Sequence, residues 1–278
     1  MKTLTVPAPA KVNLFLHVTG RRADGYHTLE SLIALIDLAD TITLARRDDG
    51  VIRQHGDVAG VPAESDLAIR AARALRAACG TRYGVDIVLQ KRIPMGSGLG
   101  GGSSDAASVL LALNRLWELA LPRAELSRLA LELGADVPLF VAGDNTIARG
   151  IGEVLSPVSL PPCFIALAFP PVAVPTADIF AAPELTRTTP SAKMEVFSEG
   201  YGRNDLAPVT ASRFPAVAAT IEAMSRASVA PRMTGSGACV FAAFPTEREA
   251  RGALTLLPQQ TGGCVARTLS RHPLAMFA

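Results

Sequence analysis

Residues 95–107 read MGSGLGGGSSDAA, the segment of the chain richest in residue types that direct chemistry. Glycines admit positive φ and let a ligand approach the backbone, while the free N–H groups and dipole of a helix start favour an anion. A glycine run feeding a helix is therefore a phosphate site. Gly96, Gly98 and Gly101 match G-x-G-x-x-G, but a dinucleotide fold sets those glycines directly after a strand, with an acid ending a second strand about 20 residues on. Here Lys91, Arg92 and Pro94 intervene and no such acid follows. The string also mimics a Walker A loop, yet Gly102 stands where its lysine belongs, so nothing there reaches the β- and γ-phosphates.

The loop needs a strand before it and a helix after it. VDIVL (85–89) predicts the strand. The helix is expected from the end of the glycine run, with Ser103 or Ser104 as cap, Asp105 in the first turn and apolar residues down to Trp117, and Pro122 stops it. A second helix runs to about Leu133. Pro138 then disfavours a helical Val137, so GADVPLFV predicts an extended strand and leaves Asp136 in a junction. At the start of the chain, alternation through Val12, Leu14, Leu16 and Val18, the turn TGRRADG and a second apolar run predict paired strands. Asp66 caps a helix whose Ala68, Ala72, Leu75 and Cys79 share one face. Later segments read as a strand at FIALAF, an exposed loop at TTPSAKM, a helix over 214–227, a glycine turn into a buried strand at MTGSGACVFAAF, a helix at TEREARGALTLL and a closing strand at CVARTLS. Strands and helices do not alternate regularly, which favours α+β.

Composition narrows the function classes. The 278 residues carry 27 Lys+Arg against 25 Asp+Glu, a balance with no electrostatic footprint for nucleic acid. At 49% hydrophobic with 23 Gly and 20 Pro, the chain reads as globular, not disordered or coiled-coil. Lys11, Asn13 and His17 interrupt any export signal, and six prolines within the uncharged stretch 154–177 rule out a membrane helix. The four cysteines form no metal or disulfide pattern and are expected as buried free thiols in the cytoplasm. No carboxylate cluster has metal-ligand spacing.

PMGSGLGGGSSDAA resembles the phosphate loop of the GHMP kinases, a family of small-molecule kinases. PAPAKVNLFLHVTGRRADGYHTLES, LGADVPLFV, PTADIF, NDL (204–206) and MTGSGACVFAAF are similar to one branch, whose acceptor is 4-diphosphocytidyl-2-C-methyl-D-erythritol. The resemblance implies a two-domain α+β fold, 1–155 and 156–278, with the active site in the cleft between them. It implies ATP as co-substrate with Mg²⁺, no phosphoenzyme, and a monomer or homodimer. Asp136 would be the base and Lys11 its cationic partner. The nucleotide would lie on Leu67, Lys91, Pro94, Gly96, Gly98, Leu99, Gly100, Gly101, Gly102, Ser103 and Ser104. The resemblance further assigns the acceptor to Asn13, Tyr26, His27, Thr176, Phe180, Gly235 and Ser236, with the aromatic residues and His27 suited to a pyrimidine. Asp105 stands open between a Mg²⁺ ligand and a first-turn helix acid. Asp66 departs from the asparagine usual at its position, which puts an adenine contact there in doubt. A GHMP kinase for another small alcohol, a silent nucleotide-binding module and an oxidoreductase are the competing readings.

Overall fold

The computed structural model describes residues 2–56, 61–191, 202–227 and 230–278. A long antiparallel pair, β1 (Thr3–Arg21) and β2 (His27–Arg47), organises the first sheet. Strand β2 carries β1 along one edge. Along its other edge lie β4 (Gly84–Gln90), opposite residues 41–47, and β5 (Thr146–Gly150), opposite residues 29–33. β3 (Ile52–His55) and β6 (Val154–Pro157) extend the two ends. The second sheet is antiparallel, in the order β10 (Gly262–Arg267), β7 (Phe164–Phe169), β9 (Val240–Phe244), β8 (Arg232–Met233).

Helices α1 (Leu67–Cys79), α2 (Gly101–Leu116), α3 (Arg123–Leu133) and α4 (Val137–Ala142) bury their apolar faces on the first sheet. Helices α5 (Thr176–Ala181), α6 (Ala207–Arg213), α7 (Pro215–Ser225) and α8 (Glu247–Leu254) do the same on the second. A third core, built from Ala10, Val12, Ala34, Ile36, Ile165, Leu167 and Phe241, fills the space between the sheets. The layers therefore run helices, sheet, sheet, helices, an α+β arrangement as the sequence led us to expect. The C-terminal residues return to the first sheet, where Leu269 N–H donates to Leu35 O (2.8 Å). No helix among the described residues is long and apolar enough to cross a membrane.

The first strand explains its own prolines. Pro7 and Pro9 lie on an edge strand, where a missing N–H leaves no ladder bond unmade. Their carbonyls still need donors, and α2 supplies them: Ser104 Oγ donates to Pro9 O (2.6 Å) and Ser108 Oγ to Pro7 O (3.3 Å). The ladder then breaks. Pro9 faces Ala39 but Ala10 faces Ile36, so Asp37 and Leu38 are extra on β2, and Asp37 Oδ1 accepts the N–H of Arg267 instead (2.7 Å). Val6 and Ala8 face the helices, whereas Ala10 and Val12 face the second sheet. After the break, Lys11 and Asn13 point to the helix side.

Three local expectations fail for identifiable reasons. Helix α2 is capped by Gly100 at φ 74°, so Ser103 and Ser104 are inside its first turn and not its cap. It ends at Leu116, well before Pro122, because the Asn114 side chain holds both N–H and C=O of Leu121 and folds the chain through left-handed Glu118 and Ala120. GADVPLFV is not a strand: Pro138 sits in the first turn of α4, where its missing N–H has no helical acceptor to lose. Asp136 does occupy a junction, as N-cap residue of α4, with no side-chain capping bond. The thiols are free, but only Cys239 is fully buried. Of the loop TTPSAKM, Thr189 is buried and its N–H donates to Val18 O (3.1 Å), while residues 192–194 lie outside the described residues.

Candidate active site

Residues from both halves line one cleft of about 1090 Å³. At one end is the glycine loop. Gly96, Gly98 and Gly100 hold φ of 63°, 77° and 74°, so the loop is a succession of left-handed residues that β-carbons would strain. The first bond within α2 runs from Ser104 N–H to Gly100 O (2.9 Å). That leaves the N–H groups of Gly101, Gly102 and Ser103 without acceptors in the helix, and all three residues line the cleft. Gly98 is constrained from behind: a Cβ there would stand 2.3 Å from the Thr234 carbonyl oxygen. Ser97 O accepts Cys239 N–H (3.2 Å), so the second half clamps the loop.

Beside the loop, two carboxylates share one ammonium. Lys91 Nζ donates to Asp40 Oδ2 and Asp105 Oδ2, each at 2.5 Å. Asp40 Oδ1 also accepts the N–H groups of Arg92 (2.5 Å) and Ile93 (2.9 Å), which fixes the approach to the glycines. Burial works to lower the Lys91 pKa, but Asp105 and Asp40 outweigh it and hold the ammonium above its ordinary value. Asp105 is the carboxylate in surplus. Burial lifts it to about 7, Lys91 opposes the rise, and Asp40 and Asp66 add to it. Its Oδ1 is buried with no partner among the described residues. Asp66 spends Oδ1 on the Ala68 N–H (2.8 Å), capping α1, and Oδ2 on Gln54 (3.3 Å).

Mid-cleft, Lys11 is 4% exposed, and its Nζ donates to Asn13 Oδ1 (2.6 Å). The same oxygen accepts the Thr234 hydroxyl (3.1 Å) and the Gly235 N–H (3.0 Å), while Asn13 Nδ2 donates to Ser31 Oγ (2.8 Å). Asn13 thus joins the two halves directly under the lysine. Burial pushes the Lys11 pKa down, and the field of Asp136 opposes that shift. The Asp136 side chain is exposed to the cleft.

At the far end, Tyr26 projects from the turn between β1 and β2, 63% exposed. His27 lies against Phe180, ring centroids 5.3 Å apart. Thr176 and Ser236 share a hydroxyl–hydroxyl bond of 2.7 Å. Asn204 Nδ2 donates to both Met233 O and Gly235 O (2.7 Å each), shaping the turn that carries Ser236.

The model of the GHMP kinase N-terminal domain matches residues 66–144, and that of the GHMP kinase C-terminal domain matches residues 183–260. This chain belongs to the GHMP kinases. It is 57% identical over 271 residues to the 4-diphosphocytidyl-2-C-methyl-D-erythritol kinase of Thiobacillus denitrificans, covering 98% of this chain and 97% of that one. The enzyme of the same name from Cupriavidus necator is 54% identical over 277 residues, covering 98% and 95%. A crystal structure of 4-(cytidine 5'-diphospho)-2C-methyl-D-erythritol kinase superposes with a TM-score of 0.85 at 36% identity, covering 95% of this chain and 99% of that one. Homoserine kinase from Cytophaga hutchinsonii, at 18% identity and a TM-score of 0.68, shares the fold.

Within this GHMP kinase, two of the expected loop contacts face away from the cleft. Leu99 is buried in the core between the sheets, and its carbonyl accepts the Lys11 N–H (3.0 Å). The Ser104 hydroxyl is spent on Pro9, so it is a packing group and not a phosphate donor. Every other residue expected at the site lines the cleft. Sequence reasoning missed Asp40, Ser31, Thr234 and Arg187, the last of which donates from Nε to His27 Nε2 (3.0 Å). The first two carried a signal, a polar residue inside an apolar strand; Asn204, noted only as part of the NDL motif, now has a place.

Proposed function

We propose that this GHMP kinase transfers the γ-phosphoryl group of ATP to the 2-hydroxyl of 4-diphosphocytidyl-2-C-methyl-D-erythritol, giving the 2-phosphate and ADP. The observation that carries the acceptor is the continuity of the cleft: Tyr26, His27 and Phe180 stand at one end, the glycine loop at the other, and Lys11 and Asp136 between them. A pyrimidine nucleotide handle suits the first, a triphosphate the second, and the hydroxyl to be phosphorylated falls in the middle. A small alcohol without a base would leave the aromatic end without a role.

Asp136 takes the hydroxyl proton as the acceptor oxygen bonds to the γ-phosphorus and the bond to the β–γ bridging oxygen breaks. Its freedom from capping duty supports that role, because both carboxylate oxygens remain available. Lys11, oriented by Asn13, places N–H donors beside the same hydroxyl. The N–H groups of residues 101–103 receive phosphate oxygens, and their fixed orientation stabilises charge without reorganising during transfer.

Mg²⁺ supplies charge neutralisation on the phosphates when bound. Among the described residues no group of three or more His, Cys, Asp or Glu could hold a metal. Mg²⁺ takes one or two protein oxygens and keeps waters and phosphates, so Ser103 and the unpartnered Asp105 Oδ1 fit an ion delivered with the nucleotide. The first lobe runs on through β6 to Pro157, two residues beyond the boundary at 155, and the residues from Leu269 onward pack back against it. A small, charged, diffusible substrate fits an enzyme of the cytosol working as a monomer or homodimer.

The test is ADP release with ATP and Mg²⁺, comparing 4-diphosphocytidyl-2-C-methyl-D-erythritol with mevalonate, homoserine and galactose at equal concentration. Turnover with the cytidine compound alone is expected. Turnover with another alcohol would retain the kinase and discard the acceptor.

A further inference from the structure

Arg187 lies beyond α5 and reaches back over the aromatic end of the cleft. Its Nε–H donates to His27 Nε2 at 3.0 Å, a bond between the two halves of the molecule. Nη2 donates to the carbonyls of Phe180 (3.2 Å) and Ala182 (2.6 Å), and Nη1 to those of Leu185 (3.0 Å) and Pro183 (3.4 Å). One side chain therefore fixes both the segment that bears Phe180 and the ring that Phe180 packs against.

The chemistry of the bond is restrictive. A guanidinium has only N–H donors, so the nitrogen facing it must offer a lone pair. His27 Nε2 is therefore unprotonated, and the neutral ring carries its proton on Nδ1. Burial lowers the imidazolium pKa, and the charges of Arg187 and Arg21 lower it further, in keeping with a neutral ring. With Nε2 spent, the nitrogen left for a ligand is a donor and cannot accept.

A pyrimidine reads that difference. Cytosine N3 is an acceptor, whereas uracil N3 carries a hydrogen. We propose that Arg187 is a positioning residue that sets base preference: by holding His27 as the Nδ1–H tautomer, it matches the acceptor N3 of a cytidine diphosphate handle and opposes the N3–H of uridine. This rests on the proposed assignment of the cytidine handle to the Tyr26, His27 and Phe180 end of the cleft. Arg187 touches no reacting atom, so its effect belongs in the choice of acceptor and not in the use of ATP.

The probes are CDP and UDP, titrated against the wild type and Arg187→Met, which keeps the aliphatic stem and removes every donor. Wild type is expected to bind CDP at least about tenfold more tightly than UDP, the scale of one well-placed hydrogen bond. In Arg187→Met that ratio should fall to about threefold or less, with KM for ATP close to wild type and Tm lowered by the loss of the donors to the four carbonyls. An unchanged ratio in a folded variant overturns the proposal, and so does equal binding of the two nucleotides by wild type. Long-range ¹⁵N correlation spectra of the wild type give an independent readout, even if the variant fails to fold. His27 should show a protonated Nδ1 and a bare Nε2, and the Nε2–H tautomer would overturn the inference. If wild type turns over the cytidine substrate but prefers neither nucleotide, the proposed function stands and only the role of Arg187 falls. If neither CDP nor UDP competes with the acceptor, the pocket assignment fails and this inference falls with it.

Discussion

Gly98 and Gly235 meet backbone to backbone, close enough that a Cβ on Gly235 would stand 3.2 Å from the Cα of Gly98. The glycine loop of the first half and the turn of the second half are therefore one packed unit, so the sites proposed for ATP and for the acceptor would share a wall. Gly102 differs. It has no positive φ, and a Cβ there would make only an ordinary 3.6 Å contact with Leu67. Gly102→Val should fold with a near-normal Tm and raise KM for ATP by about tenfold or more, since its side chain crowds only an incoming phosphate. Gly235→Ala, left-handed at φ 55°, should lose about 1–3 kcal/mol of stability and impair both substrates. A Gly102→Val enzyme with unaltered ATP affinity would show that the phosphates lie elsewhere.

Asp136→Asn keeps the shape of the side chain and removes its ability to take a proton. We expect kcat to fall by about 10²–10⁴, with KM for ATP and acceptor within about threefold of wild type. Single-turnover kinetics would read this directly, and near-normal turnover would take the base role away from Asp136.

Adjacent serines should behave in opposite ways. Ser104→Ala leaves the Pro9 carbonyl without its donor and is expected to cost about 1–3 kcal/mol of stability while sparing KM for ATP. Ser103→Ala, on the cleft side, should leave Tm unchanged and weaken ATP use. Denaturant unfolding beside initial-rate kinetics separates the two, and a shared phenotype would contradict the assignment.

The surplus carboxylate gives a pH signature. Asp105 titrates near 7 in the folded protein against an ordinary 3.8, so across that window the folded state holds a proton that the unfolded chain has released. Its contribution to stability is accordingly present below about pH 4 and lost progressively as pH rises to about 7. Asp105→Asn mimics the neutral acid and can still accept from Lys91. The Tm difference, variant minus wild type, should therefore be more positive at about pH 8 than at about pH 5. A difference flat across that range would mean that Lys91 neutralises Asp105 fully.

The glycine loop leading into a helix was legible because glycine, serine and a following apolar period each have a local meaning. The role proposed for Asp136 came with the family resemblance, while its junction could be read locally even though Pro138 was misjudged: proline breaks a helix interior but suits a first turn, and composition does not say which one it occupies. Ser104 was misjudged because its partner, Pro9 O, is 95 residues away. Arg187 was invisible for the same reason. A lone arginine after PELT carries no pattern, and its meaning arises only when His27, 160 residues earlier, is folded against it. Contacts between residues far apart in the chain are where sequence reasoning ran out.

The broken register of β1 on β2 also bears on how the hairpin can go wrong. If the pairing of Pro9 with Ala39 continued without interruption, Val12 would meet Ile36 and Asn13 would meet Leu35, and β1 would keep one facing throughout. Lys11 and Asn13 would then be driven between the sheets among Ile165, Leu167 and Phe241, where an ammonium finds no partner. The regular hairpin is thus the one the rest of the protein refuses. Deleting Asp37 and Leu38 would keep Ala10 opposite Ile36 while removing the break, and should yield a chain that cannot close its two sheets together, because the charge that serves the cleft in one facing bars assembly in the other.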